Sequence, residues 1–326
     1  MKAVYVSKFG GAENLVLRDV ADPKKPTGKE VLVKVHAAGL NRADIMQRIG
    51  KYPPPPGYSP NIPGLEFAGE VTDIGDKVTA FNIGDRVFGI TAGEAQAEYL
   101  LTEESVLARI PERLNFTDAA AVPEVFITAH DAVFTQCGLR NGEWLLVHAV
   151  GSGVGLAALQ LAKASRAYVA GTSRTQDKLD RCREFGLDLP LLTREPVFAE
   201  AVKQASESGA NVILDLVGGN YFPENLKSLA VKGRMILVGL TAGRSSEIDL
   251  GMTLYKRARI IGTVLRARTI EEKAAATAAF VSEVVPLFES GKIKPNLDRV
   301  FPAAEIQAAH RFLESNESFG KVVIEF

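Results

Sequence analysis

The run Trp144-Leu-Leu-Val-His-Ala-Val-Gly-Ser-Gly-Val-Gly155 constrains the fold most, because an apolar strand candidate feeds directly into a glycine-rich turn and then a helix. A turn of this kind binds phosphate. A helix beginning near Ser152 aims unpaired backbone N–H groups and the positive end of its dipole at a pyrophosphate, while Gly151, Gly153 and Gly155 let the anion approach the backbone. In the strict G-x-G-x-x-G register ending at Gly155, however, the segment reads Val150-Gly-Ser-Gly-Val-Gly155, so Val150 and Ser152 stand where glycines are expected. The turn alone is a weak signal, and its surroundings carry the argument. Apolar segments at 144–148, 167–171, 212–216, 234–239 and 259–264 alternate with helical ones, the pattern of a parallel sheet covered on both faces.

Before residue 110 the texture differs: short alternating runs such as 30–36 and 67–75 are separated by Gly, Pro and Asn turns, which predicts a mostly β domain. After Arg268 come helical segments at 271–290 and 303–315 and a last strand candidate at 320–326. That strand has no place in the parallel pattern, so the C-terminal stretch is expected to return to the N-terminal domain. The expected architecture is α/β: a doubly wound parallel-sheet domain, residues 125–264, inserted into a mostly β domain made of residues 1–124 plus 265–326.

Composition excludes several classes of function. With 326 residues, a formal net charge of −1 and its lysines and arginines spread along the chain, there is no basic patch for nucleic acid. The start, Met1-Lys-Ala-Val-Tyr-Val-Ser, lacks a signal-peptide core, and no apolar run reaches the roughly 18 residues that a bilayer requires. A cytoplasmic protein with no membrane partner is expected. Cys137 and Cys182 are too few and too isolated for a disulfide framework or a thiolate zinc site. The four prolines from Pro53 to Pro56 read as a stiff loop beside a cleft in preference to a polyproline ligand.

Cofactor preference is legible about 20 residues beyond the glycine turn, where a carboxylate selects NAD and cations favour NADP. That position reads Gly171-Thr-Ser-Arg-Thr-Gln-Asp-Lys178 and has no carboxylate at the strand end. Ser173, Arg174 and Lys178 offer a hydroxyl and two cations suited to a 2′-phosphate, which points to NADPH. The alternative is that both cations are solvated positions at a helix start. Cations there oppose the helix dipole, and a bound anion would relieve that opposition.

Several separated segments together identify a family. Asn41-Arg-Ala-Asp44, Gly64-Leu-Glu-Phe-Ala-Gly69, Gly84-Asp-Arg-Val87 and the glycine turn followed by Gln160 and Lys163 resemble the medium-chain dehydrogenase/reductase superfamily, and within it the zinc-free quinone oxidoreductases related to zeta-crystallin. The p53-inducible quinone reductase subgroup is the nearest look-alike, through the Tyr52 to Gly57 loop, the pair Pro123-Glu124 and Leu265-Arg-Ala-Arg268. The resemblance spans essentially the whole chain and implies a Rossmann domain inserted into a GroES-like catalytic domain.

Zinc-dependent members of the superfamily supply three metal ligands at positions where this chain has Asn41, Leu65 and Glu124. A leucine cannot ligate, and the histidines His36, His130, His148 and His310 show no ligand spacing, so no metal is expected. Without a Lewis acid, alcohol oxidation lacks a stabiliser for the alkoxide. Reduction of a quinone or a conjugated carbonyl needs none.

By resemblance, Asn41 faces the nicotinamide end of the cofactor, Thr128 lies near the ring, and backbone groups of Gly239, Leu240, Leu265 and Arg266 hold the carboxamide. A strand ending at Gly239 admits a flat ring closely. Ser152 either caps its helix or touches the pyrophosphate, joined by Val154 in the same turn. Tyr52 is the acceptor-side candidate, since a phenol donates a hydrogen bond to a quinone oxygen and stacks on its ring; its other reading is a tyrosine packed on the proline loop. Asp44 fits a helix-start role better than a base, and Arg266 and Arg268 either reach the cofactor or pair at the surface. The expectation is an NADPH:quinone oxidoreductase that forms homodimers through the edge strand at 259–264. The alternatives are an NADPH-dependent reductase of 2-alkenals or enones and, outside catalysis, an NADPH-binding structural or sensory protein.

Overall fold

Alternate side chains of the strand Glu30–Leu40, among them Val31, Val33 and Val35, point into a core completed by Phe67, Val71, Val87, Leu100, Val322 and Ile324. This strand is the axis of a seven-stranded sheet. The computed structural model describes residues Met1–Phe326, which divide into two units: Met1–Ile127 with Leu265–Phe326, and Thr128–Val264.

In the first unit the sheet runs Leu297–Pro302, Lys321–Glu325, Glu30–Leu40, Glu66–Ile74, Arg86–Ile90, Leu107–Arg109, with Tyr99–Glu103 also pairing to Glu30–Leu40. The C-terminal strand returns as the sequence implied, antiparallel to Glu30–Leu40, with Val322 opposite Leu40 and Glu325 opposite Ala37. That register sets Lys321 beside the point where the chain leaves the sheet at Asn41. On the other side of the axial strand, Phe67 pairs with Ala38 and brings Glu66 to the same end. Gly39 makes this possible, because a Cβ there would collide with the Glu66 carboxylate and sit 2.6 Å from the Ala120 carbonyl.

The second unit is a six-stranded sheet in the order Leu189–Leu192, Tyr168–Ser173, Trp144–Val147, Ala210–Asp215, Leu229–Leu237, Arg259–Gly262, and every neighbouring pair is parallel. Counted in chain order this is 3-2-1-4-5-6, the doubly wound dinucleotide-binding topology. Helix Gly153–Ala164 follows the first strand and buries one apolar side, including Leu156, Leu159 and Leu161.

Three elements depart from the sequence reading. Leu189–Leu192 is a strand although Pro190 lies within it, and it is tolerated because the strand is an edge with a single partner, Tyr168–Ser173. Leu297–Pro302 adds a further strand, parallel to Lys321–Glu325, in a stretch with no strand signal. The helical segment 271–290 is two helices, Ile270–Glu283 and Val285–Glu289, because Pro286 cannot donate into a continuous ladder. No helix is long and apolar enough to cross a membrane.

Candidate active site

The glycine turn closes as a tight strand-to-helix corner. Ser152 is the N-cap of helix Gly153–Ala164, its hydroxyl accepting from the Gly155 N–H at 3.2 Å, so the capping alternative is the one realised. An α-helix leaves its first N–H groups without intrahelical partners, and those of Gly153 and Val154 lie in this first turn. Gly155 cannot carry a side chain: a Cβ would stand 2.6 Å from the Ala149 carbonyl. Gly171 on the next strand is equally constrained, with a hypothetical Cβ 2.8 Å from the Val150 side chain. The valine that replaces the first fingerprint glycine is thus accommodated by a glycine across the sheet. Ala149 itself adopts φ +48°, a backbone that L-residues rarely take.

Beneath the turn runs a closed hydrogen-bonded chain. Ala149 N–H donates to Thr172 Oγ1 at 3.3 Å, and Thr172 is 3.0 Å from His148 Nδ1. His148 Nε2 meets Asn225 Oδ1 at 2.5 Å, and Asn225 Nδ2 donates to Asp215 Oδ2 at 3.0 Å. The other Asp215 oxygen accepts from Val217 N–H and Gly218 N–H, both at 2.8 Å. The directions of these bonds place the imidazole proton on Nε2. Burial holds the ring below its ordinary pKa despite the nearby Asp215 carboxylate, so the histidine is neutral.

At the end of the second strand, Ser173 is buried and its hydroxyl accepts from Thr175 N–H at 3.3 Å. Arg174 is exposed and makes neither a hydrogen bond nor an ion pair. Lys178 is half-buried in the first turn of helix Gln176–Arg183. Gly239 follows the strand Leu229–Leu237, and here the structure supplies a different reason for glycine: a Cβ would lie 2.6 Å from the Leu216 carbonyl, so strand packing already requires it. Leu240 is exposed beside it.

In the first unit a second polar cluster forms around Asn41, the N-cap of helix Arg42–Arg48. Asp44 accepts from Asn41 N–H at 2.7 Å and from Gly64 N–H at 3.0 Å, the hydrogen-bonding role expected of it. Asn41 Nδ2 donates to Glu66 Oε1 at 2.9 Å. The Lys321 ammonium donates to Asn41 Oδ1 at 2.8 Å and to the Leu40 carbonyl at 2.7 Å, and pairs with Glu66 Oε1 at 2.5 Å. Glu66 is fully buried and Lys321 is 3% exposed. Burial is the main force raising the Asp44 carboxyl to about 6, with the Asn41 and Gly64 N–H groups and the Lys321 and Arg266 cations acting against it. Glu124, whose own N–H donates to Glu66 Oε2 at 2.9 Å, is pushed up to about 8, first by burial and then by the Glu66 carboxylate.

This donor set does not suit zinc. Leu65 has no lone pair to offer, and Asn41 and Glu66 oxygens already surround an ammonium ion. Sequence reasoning missed Lys321 and Glu66, and no local signal marks either, since Lys321 meets Asn41 across a separation of 280 residues.

Tyr52 has a half-buried ring and a phenol without a hydrogen-bond partner. Burial raises its pKa, so the hydroxyl keeps its proton. Arg266 holds it in place: the guanidinium lies 4.9 Å from the ring centroid and donates to the Tyr52 carbonyl at 2.9 Å, to the Ala92 carbonyl at 2.8 Å and to Gln47 Oε1. The Arg266 side chain is therefore a buried brace, and only its backbone remains for a ligand. Leu265 is buried beside it, and Thr128 is half-buried in helix Pro123–His130. A cavity of about 470 Å³ elsewhere in this unit is lined by Tyr58, Glu94 and Lys273 among others, and none of Asn41, Tyr52, Glu66 or Glu124 borders it.

The histidines and cysteines are structural. His36 stacks on Phe116 at 4.2 Å, His130 stacks on Phe134 at 5.5 Å, and His310 is buried with its pKa depressed to about 3. Burial pushes the Cys137 and Cys182 thiols up to about 11 and about 12, which leaves neither as a nucleophile near neutral pH.

A dinucleotide-binding sheet inserted into a GroES-like unit defines a medium-chain dehydrogenase/reductase. Residues 27–133 match the family described as alcohol dehydrogenase GroES-like domain, and residues 153–282 match zinc-binding dehydrogenase. Human quinone oxidoreductase is 33% identical over 328 residues, covering 99% of this chain and 97% of its own. The Escherichia coli quinone oxidoreductase solved with NADPH superposes with a TM-score of 0.88 at 28% identity, covering 100% of both chains. A structure titled NAD-dependent alcohol dehydrogenase gives 0.88 at 31% identity, again over 100% of both. The chain belongs to the quinone oxidoreductase family of medium-chain dehydrogenases/reductases, enzymes built on a nucleotide-binding fold.

Proposed function

We propose that the protein is an NADPH-dependent quinone reductase that works without zinc. The observation that carries this reading is the ammonium of Lys321 seated between Asn41 and Glu66, where zinc-dependent relatives would gather metal ligands. A buried lysine cation paired to a carboxylate cannot polarise an alcohol as an open-site zinc does, so an acceptor that is already electron-poor is favoured. NADPH, when bound, supplies the hydride. The first-turn N–H groups of Gly153 and Val154 hold the pyrophosphate, and Arg174 with Ser173 and Lys178 meets the 2′-phosphate. Thr128, Gly239, Leu240, Leu265 and the backbone of Arg266 orient the nicotinamide. Asn41, held by Lys321 and Glu66, serves the nicotinamide end of the cofactor as the resemblance implies, and the free Tyr52 hydroxyl donates to the acceptor oxygen.

Stopped-flow oxidation of NADPH and NADH with 1,4-benzoquinone, 9,10-phenanthrenequinone and a 2-alkenal tests the reading. Quinones are expected to react fastest and NADPH to be preferred; a 2-alkenal outpacing both quinones would move the assignment to double-bond reduction. Arg174→Ala is expected to raise the Michaelis constant for NADPH roughly tenfold and leave that for NADH unchanged. The protein is further proposed to act in the cytoplasm as a homodimer. The strand Arg259–Gly262 has a single neighbour in its sheet, and Leu250, Leu254 and Tyr255 are each more than 70% exposed nearby in sequence, which supports a covered surface. Light scattering at micromolar concentration is expected to give the dimer mass, and a monomer there would end that part of the proposal.

A further inference from the structure

Glu124 differs from the acids around it. Glu66 takes the Lys321 ammonium and N–H donors from Asn41 and Glu124, and Asp44 takes two backbone N–H groups. The Glu124 carboxyl has no hydrogen bond and no ion pair, yet its side chain keeps a partial opening to solvent. An ionised carboxylate without donors in such surroundings is the disfavoured form.

The titratable groups that face it come from six segments of the chain. Glu66 on the strand Glu66–Ile74 and Asp44 on the helix Arg42–Arg48 both oppose a negative charge there, and Tyr52 interacts weakly from the loop that follows. Lys321 favours the charge but is already bonded to Glu66, Asn41 and Leu40. Arg266 is bonded to three neutral oxygens, and Lys273 on the helix Ile270–Glu283 to the Arg268 carbonyl at 3.0 Å. No cation touches Glu124. Its raised pKa of about 8 agrees with that geometry.

We propose that Glu124 is the proton reservoir of the acceptor site, a neutral carboxylic acid that gives its proton to the reduced acceptor and takes another from solvent. This rests on the quinone-reductase reading. The acceptor receives two electrons and one hydrogen nucleus as hydride from the reduced nicotinamide, and its carbonyl becomes an oxyanion. The O–H bond of Glu124 then breaks, a new O–H bond forms on that oxygen, and the remaining carboxylate is reprotonated by water-borne acid through its open side. One proton is consumed per acceptor reduced. Glu66 is the positioning residue, since it holds the Glu124 backbone and repels the charge left behind.

Infrared difference spectroscopy on the full-length protein tests the protonation directly. Wild type is expected to show a protonated-carboxyl band that titrates near pH 8, absent in Glu124→Gln and displaced in Glu124→Asp. In parallel, NADPH-driven reduction of 1,4-benzoquinone is expected to slow above pH 8 in wild type, whereas Glu124→Gln is roughly 100-fold slower at neutral pH and loses that limb. Glu124→Asp should keep the limb at a shifted pH, and both variants should bind NADPH as wild type does. No titrating band, or a Glu124→Gln profile that follows wild type, overturns the proposal directly. A titrating band in a protein inert toward every quinone overturns it through the functional reading on which it rests.

Discussion

Each unit carries a buried polar network, and the two are built to opposite ends. In the Thr128–Val264 unit the chain from the Ala149 N–H through Thr172, His148 and Asn225 to Asp215 leaves no side chain without a partner, and the side chains of Thr172, His148, Asn225 and Asp215 are at most 1% exposed. In the other unit Lys321, Asn41, Glu66 and Asp44 are similarly satisfied, but Glu124 is left with a carboxyl that no donor meets. A closed network fixes backbone; here it holds the turn after Val147 and the loop after Asp215 through the Ala149, Val217 and Gly218 N–H groups. An open one leaves a proton that can move. Complete pairing suits the first network to a scaffold role, and the unpaired Glu124 carboxyl is where the proposed proton transfer falls in the second.

The largest effect is expected at Lys321. Lys321→Met strands the fully buried Glu66 carboxylate without its counter-ion, which is expected to cost about 3–5 kcal/mol. Guanidinium unfolding reads the loss, and the double variant Lys321→Met with Glu66→Gln should recover much of it. A single-variant loss under about 1 kcal/mol would mean that the ion pair does not organise the site. In the closed network, Asn225→Leu leaves His148 Nε2 and Asp215 Oδ2 unpartnered and should cost roughly 2 kcal/mol or more, with no new dependence on pH above 7.

The two networks were unequally legible in the sequence. The glycine turn and the strands at 144–148, 167–171 and 212–216 follow from apolar periodicity, so the central strands of the parallel sheet are legible from local pattern alone. Asn41 and the departures at Leu65 and Glu124 emerge only by resemblance, whereas Tyr52 stands out by what a phenol can do beside a quinone. In the sequence Lys321 is only part of a last strand, because what it does depends on antiparallel register with Glu30–Leu40, a long-range pairing that no local window contains. The role of Arg266 is hidden for the same reason: its three acceptors come from Gln47, Tyr52 and Ala92, each more than 170 residues away. Edge strand Leu189–Leu192 was hidden by Pro190, a residue whose penalty depends on whether a strand has one neighbour or two.

A smaller effect separates the networks by their response to pH. The Glu124 pKa lies at about 8 in the folded protein against 4.5 ordinarily, so between those values the folded state keeps a proton that the unfolded chain has released. Stability must then fall as pH rises through that window and level off above it. Asp44 contributes in the same direction only up to about 6, and His148 and His310, whose pKa values are depressed, cease to contribute above their ordinary 6.5. From pH 6.5 to 8 Glu124 contributes a fall of at most about 1.4 kcal/mol per pH unit, and because the Met1 ammonium, raised from 8.0, and Lys256, lowered to about 8, begin to contribute near the top of that interval, the difference between wild type and Glu124→Gln isolates it. Denaturant midpoints measured across that interval should decline more steeply in wild type than in Glu124→Gln. Equal slopes would place the unpaired proton elsewhere.

The weakest effect is expected at the residue that made the glycine turn irregular. Ser152 caps its helix through one hydrogen bond to Gly155 N–H, but the geometry of the corner is imposed from outside it, by Gly155 against the Ala149 carbonyl, Gly171 against Val150, and the Thr172 hydroxyl beneath Ala149. Glycine is itself an acceptable N-cap, so Ser152→Gly, which restores that fingerprint position, should cost only a few tenths of a kcal/mol, whereas Ser152→Ala should cost about 1 kcal/mol. NADPH affinity should change little in Ser152→Gly if the side chain serves the helix and the backbone serves the phosphate. A tenfold loss of NADPH affinity without loss of stability would instead make the hydroxyl a phosphate ligand, and the division between a closed scaffold and an open site would have to admit one exposed donor at the rim of the first.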